Sequence, residues 1–292
     1  MSFTIMTDTS ANLPEEYLQK HGIKCISYSF LIDGVEPEDF KFDGKRFYDD
    51  MRRGTLVTTS QIPPQRYYDF FRPELEAGRD VLFVSMSSGI SGSFQSATLA
   101  AEDLRAEFPD RRLRLVDALG ASLGEGLLVI YAVNYRAHGM NADSAADRLD
   151  DRRFGVCQVF TVDDLRYLKR GGRLSNLAAA VGTVLQIKPL LKGDTEGKIV
   201  CFEKLRGRKR AVEAMAEKFA EHAAKYTPLT VGIAHADCDD DAEYLISLLR
   251  AQRDDLEIIK VCYEPVTGSH VGPGTLALFF EGSREFRKGR II

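Results

Sequence analysis

Cysteine is sparse in this 292-residue sequence, and Cys25, Cys157, Cys201, Cys238 and Cys262 are odd in number, widely spread and without a C-x-x-C pair. That pattern argues against a disulfide framework and against structural zinc, and fits a reduced, cytoplasmic setting. No stretch approaches the roughly 18 apolar residues of a membrane span. The opening MSFTIMTDTS enters a short apolar strand without the basic region of a secretory signal, so neither such secretion nor membrane insertion is expected. Positive charge is not in excess either. A net charge of −4 gives nucleic acid or an anionic surface no global attraction, and any cationic site must be local. The chain carries no Walker A loop and no G-x-G-x-x-G spacing, which removes the usual signals for a bound nucleotide. It also lacks an internal repeat, a low-complexity tract and any metal-ligand spacing, and no metal is expected.

What is present is an ordinary globular composition, 44% hydrophobic and 28% charged. The length exceeds one usual domain and favours two. Short β-branched runs alternate with longer amphipathic stretches, the pattern of a parallel sheet with crossover helices. Strands are predicted at Phe3–Met6, Ile23–Phe30, Val81–Met86 and Leu113–Val116. Helices are predicted at Glu15–His21, Pro64–Glu76, Ser93–Phe108 and Ser122–His138. The charged segment Asn141–Arg153 is the expected boundary, giving an N-terminal domain over 1–152 and a C-terminal domain over 153–292. Further strands fall near Val156–Thr161, Lys198–Phe202, Thr230–Ala236, Ile258–Glu264 and Leu276–Phe280, with helices at Arg208–Tyr226 and Ala242–Gln252. The fold class is α/β: a doubly wound, mostly parallel first sheet and a mixed second one.

Chemistry concentrates in loops. In VLFVSMSSGISGSFQSATLA (Val81–Ala100) a buried strand runs into a Ser/Gly loop and a helix start, which gathers backbone N–H groups and hydroxyls where an anion would sit. The competing reading is that Ser91 or Ser93 merely caps the helix. TTSQIPP (Thr58–Pro64) places hydroxyl and amide donors before a proline-fixed turn, and by itself reads as a helix-initiating loop. DLRYLKRGGRLS (Asp164–Ser175) sets Arg173 beside two glycines, and KLRGRKR (Lys204–Arg210) opposes a helix macrodipole with clustered cations. GSHVGPG (Gly268–Gly274) is expected to be a flexible loop presenting His270. A serine hydrolase reading makes Ser91 the nucleophile, although no base is paired with it in the sequence.

Taken in order, IMTDTS, TTSQ, SSGISGSFQSA, LKRGGRLS, KLRGRKRA and SHVGPG resemble the DegV family of bacterial fatty-acid-binding proteins across nearly the whole chain. The resemblance implies a two-domain α/β protein with an acyl chain in a closed tunnel and its carboxylate at the domain interface. It implies carboxylate contacts from Thr59, Ser60, Ser91, Gly92, Ser93 and His270. It also implies that Arg173, Arg206 and His270 surround the tunnel mouth for partner docking and phosphoryl transfer. This chain departs from the family pattern at Ile62, where proline usually follows the Ser-Gln, at Ser93, where Thr is commoner, and at Val271, where a Thr often stands.

The expected function is therefore non-catalytic: a long-chain fatty acid is bound and presented to a separate fatty acid kinase subunit, which forms the acyl phosphate. No cofactor is expected, ATP and magnesium belonging to that partner. Nucleic acid is not expected as a partner, and a transient membrane contact for ligand exchange is. Alternatives are an acyl esterase or transferase using Ser91, and a lipid sensor without a kinase.

Overall fold

The computed structural model describes residues 3–174 and 187–289. The first sheet is wholly parallel, in the order β2 (Lys24–Ile26), β1 (Thr4–Asp8), β5 (Val81–Ser85), β6 (Leu113–Asp117). Every residue of β1 and β5 is buried, as a sheet covered on both faces requires. The second sheet is mixed, in the order β11 (Leu256–Cys262), β10 (Leu229–His235), β12 (Leu276–Glu281), β7 (Val156–Thr161), β8 (Ile187–Gly193), β9 (Ile199–Arg206). Only β10 and β11 run parallel there.

The expected strand Ile23–Phe30 is two strands. It breaks after Ile26, and β3 (Ser29–Ile32) pairs antiparallel with β4 (Val57–Ser60) in a separate ribbon. That ribbon brings the TTSQ segment to the end of the first sheet.

Helices form where the caps predict them. Helix α1 (Glu15–His21) has Glu15 and Glu16 in its first turn and stops at Gly22, which takes the left-handed conformation open to glycine. Helix α2 (Gly44–Arg52) is capped by the Asp43 side chain, and α3 (Pro64–Glu76) starts on proline. Helix α4 (Ser93–Glu107) follows the Ser/Gly loop, and α5 (Leu123–Ala137) is buried from Leu123 through Val133. This last helix lies between the sheets, against β1 and β5 on one side and β7, β10 and β12 on the other. One of the three apolar clusters therefore runs from one sheet to the other. The charged segment at the expected boundary is itself helix α6 (Ala142–Arg152), with the Asn141 side chain accepting from Ser144 N at 2.8 Å. Helices α7 (Arg166–Gly171), α8 (Arg208–His222), α9 (Asp239–Arg250), α10 (Pro265–Val271) and α11 (Glu285–Lys288) complete the described elements. No helix among the described residues is long and apolar enough to cross a membrane.

Candidate functional site

The loops that leave the C-terminal ends of β5 and β6 face one side of the second sheet, and a cavity lies between them. It lies at the strand ends where open α/β sheets bind ligands. Met86, Ile90 and Leu119 line it from the first sheet's loops, and Phe160, Ile199 and Phe279 from the second sheet. One edge is sealed by the turn between β8 and β9. Ser87 Oγ donates to the Gly197 carbonyl at 2.9 Å, and a Cβ on Gly89 would come within 2.5 Å of the Glu196 carbonyl, so the approach requires glycine.

Polar groups gather on one part of this lining. Thr59 Oγ1 and His270 Nε2 are hydrogen-bonded at 2.8 Å. Ser60, Ser91 and Arg173 line the same cavity. Burial, followed by the neighbouring Arg173 and Arg170, pushes the His270 imidazolium down to about 4, so the ring is neutral at pH 7. His270 supplies hydrogen bonding without charge, and Arg173 is the cation at the site. The Arg173 guanidinium donates from Nε to the Ile90 carbonyl at 3.1 Å and from Nη1 to the Gly171 carbonyl.

The GSHVGPG segment is not the expected loop through His270. Pro265–Val271 is a helix, started by proline and capped by Glu264, whose carboxylate accepts from Val266 N and Thr267 N, both at 2.6 Å. His270 projects from its last turn. The imidazole also explains the first glycine of the R-G-G pair, since a Cβ on Gly171 would collide with Nδ1. The second, Gly172, is the left-handed C-cap of α7 at φ 70°. Ser175, the last residue of that motif, lies outside the described residues.

The remaining expected site residues divide. Ser91 Oγ accepts from Ser93 N at 3.2 Å, the local capping role, while its side chain also lines the cavity. Ser93 is fully buried, and its hydroxyl accepts from Ile62 N at 3.1 Å, which stitches the TTSQ loop to α4 instead of facing the cavity. Gly92 is the N-cap of α4, where a Cβ would collide with Gln61 Oε1; it is spacing, not lining. Arg206 is exposed at the end of β9 and outside the cavity wall. The three residues expected to surround a mouth are thus two cavity-lining side chains and one surface arginine.

Five polar lining residues went unnoticed in the sequence, Tyr28, Ser122, Gln158, Tyr263 and Thr267. Tyr28 and Thr267 line the cavity, and among the described residues neither Tyr28 Oη nor Thr267 Oγ1 has a hydrogen-bond partner. Thr267 stands three residues before His270, one helical turn, so both share a face. The E-P at the start of α10 was the signal that would have revealed this. Gln158 lines the cavity from buried β7.

An α/β protein with two main sheets, a mostly apolar cavity and one hydroxyl-rich wall is the class that fold and site define. The chain belongs to the DegV family: the family model described as "Uncharacterised protein, DegV family" matches residues 2–283. A DegV domain-containing protein of Clostridium perfringens is 35% identical over 283 residues, spanning 96% of this chain and 97% of the relative. Among solved structures, a fatty-acid-binding DegV family protein from Thermus thermophilus superposes with a TM-score of 0.88 at 28% identity, over 97% of this chain and 100% of that one. DegV of Bacillus subtilis, described as a fatty acid binding protein, gives 0.84 at 30% identity over the same shares.

Proposed function

We propose that this protein holds one long-chain fatty acid, with the carboxylate against Thr59, Ser91, His270 and Arg173 and the chain in the apolar cavity, and presents it to a separate ATP-dependent kinase that forms the acyl phosphate. The observation that carries the reading is the pairing of a mostly apolar cavity with unpartnered hydroxyls of Tyr28 and Thr267 in its wall. Buried donors without partners cost about 1–3 kcal/mol each, and an acceptor on a ligand removes that penalty. Roughly fifteen buried methylenes contribute on the order of 12 kcal/mol gross, so affinity comes from the tail and selection for an acid from the wall. Kinase coupling is supported by the cationic Arg173 at the cavity and by Arg206 on the surface, both suited to phosphate-bearing partners. The esterase alternative is disfavoured because His270 is bonded to Thr59, and Ser91 Oγ is an acceptor of the Ser93 amide.

The test is mass spectrometry of whatever is released on denaturing the purified protein in organic solvent, followed by titration of the delipidated protein with fatty acids. Stoichiometric long-chain acid or saturable uptake is the expected result. No released acid together with no uptake sinks the proposal.

A further inference from the structure

Gln158 is a carboxamide where the strand pattern calls for a hydrocarbon. It sits on β7, whose six residues are all buried, and it is 7% exposed. Two residues along the same strand face, about 6.6 Å away, Phe160 lines the cavity, and the residue paired with Gln158 across the sheet, Phe279, lines it as well. Its Nε2 donates to the Leu119 carbonyl at 3.1 Å, which fixes a loop residue held at φ 51°. That bond uses one of two amide hydrogens. Oε1 accepts nothing from the described residues, although it is packed so closely that a Cβ on Gly124 would lie 2.7 Å from it. The chain gives up a side chain at Gly120 as well, because any Cβ there would collide with the carboxamide.

Behind this corner stands a second polar group. Arg287 is 2% exposed, and its Nη1 would lie 3.4 Å from a Cβ on the cavity-lining Gly193, at the same distance as Gln158 Nε2. Its donors go to the carbonyls of Val156, Leu119 and Asp194, and Nη2 has no partner among the described residues. Gln158 on β7, Gly193 on β8 and Arg287 on α11 lie on elements other than those that carry Thr59 (β4) and His270 (α10). An all-hydrocarbon tail laid on this corner would leave the Gln158 oxygen and its second N–H unsatisfied, a penalty that a leucine would avoid.

We infer that the acid this cavity is built for carries a hydroxyl or comparable oxygen function on its chain, away from the carboxylate, and that Gln158 recognises it by accepting the hydroxyl proton at Oε1. The inference rests on the fatty-acid reading above and narrows its ligand class. It is tested by titrating delipidated protein with palmitate, ω-hydroxypalmitate, stearate and a mid-chain hydroxystearate. At least one hydroxylated acid is expected to bind about three- to tenfold more tightly than its plain parent. Gln158→Leu and the volume-matched Gln158→Met are expected to reverse that preference. Plain acids binding wild type at least as tightly as both hydroxylated ones would overturn the inference while leaving the fatty-acid reading intact, as would a preference surviving in both variants. Failure of all four acids to bind would instead remove the reading on which it rests.

Discussion

Two buried polar regions lie within the same strand-end layer and are built on opposite principles. Behind β1, Asp8 accepts from Ser10 N at 2.9 Å, Met86 N at 3.2 Å and Ser85 Oγ at 3.3 Å. Glu125 on α5 accepts from Thr7 Oγ1 at 2.8 Å and from Ser10 Oγ. Each carboxyl group there is answered by protein donors. In the cavity wall, Tyr28 and Thr267 keep hydroxyls with no protein partner among the described residues. A saturated network fixes a backbone, and an unsaturated one waits for a ligand.

The sharpest way to break this contrast is to exchange their failures. Glu125→Leu strands the Thr7 and Ser10 hydroxyls in a dry interior and is expected to destabilise the protein by about 3–5 kcal/mol. Thr59→Ala, made at the cavity, should change ligand-free stability by less than about 1 kcal/mol. Urea unfolding of both delipidated variants checks this, and comparable losses would mean that the cavity wall is structural as well.

The saturated region also predicts a pH dependence. Burial pushes the Asp8 carboxyl from 3.8 up to about 6, and burial likewise pushes Glu264 from 4.5 up to about 7. A carboxyl with a raised folded value binds more protons folded than unfolded through that interval, so stability is full below about pH 4 for this contribution and falls as pH rises through 6 to 7. For Asp8 the loss is about 3 kcal/mol, at roughly 1.36 kcal/mol for each tenfold gain in proton affinity on folding. Denaturation midpoints at about pH 5 and pH 7.5 should therefore differ, with the lower pH more stable, and Asp8→Asn should flatten the difference. A wild-type slope of the opposite sign would show that these carboxyls ionise freely.

This contrast explains what was legible in the sequence. Motifs whose meaning is local could be read: the strand-loop-helix at Val81–Ala100 and the Pro64 helix start stand where the pattern puts them, as do most apolar strands, whereas Ile23–Phe30 splits in two and β8 was not predicted. Residues whose meaning depends on a distant partner could not. Ser93 looked like a ligand contact because its partner, Ile62 N, is 31 residues away. His270 looked exposed because Gly and Pro surround it, yet Gly268 lies in a helix and abuts Tyr48, while Gly272 accommodates the Tyr167 ring. Those glycines serve packing, not flexibility. Tyr28 and Gln158 carry no motif: the sheet register brings Gln158 to the cavity, and Tyr28 reaches it from the link between β2 and β3.

At the unsatisfied wall, the expected losses are in affinity. Thr59→Ala and Ser91→Ala should each weaken fatty-acid binding by about 1.5–3 kcal/mol, roughly ten- to a hundredfold, if each hydroxyl serves a charged acceptor. Gly171→Ala should do so by about tenfold through His270, since it adds a residue favoured in helices while forcing the imidazole to move. Titration of delipidated protein decides all three. Normal affinity in the two hydroxyl variants would place the head group elsewhere.

The smallest expected effect separates Arg206 from its two companions. The resemblance groups all three around a tunnel mouth, but the structure puts His270 and Arg173 in the cavity wall and leaves Arg206 outside it. Arg206→Ala removes an exposed charge, so ligand affinity should stay within twofold or so of wild type, as surface substitutions usually leave the fold within about 0.5 kcal/mol. Under the proposed kinase coupling, its contribution would lie in encounter with a phosphate-bearing partner and in bidentate contact to developing negative charge. Acyl-phosphate formation with a cognate kinase should fall about tenfold, or 1.4 kcal/mol, and added salt should lower wild type toward the variant. His270→Ala, in contrast, should lower affinity first, because it deprives Thr59 of its 2.8 Å partner. A measured loss of ligand affinity in Arg206→Ala equal to that in His270→Ala would draw the end of β9 into the binding site and collapse the distinction between the residues that hold the acid and the residue that offers it.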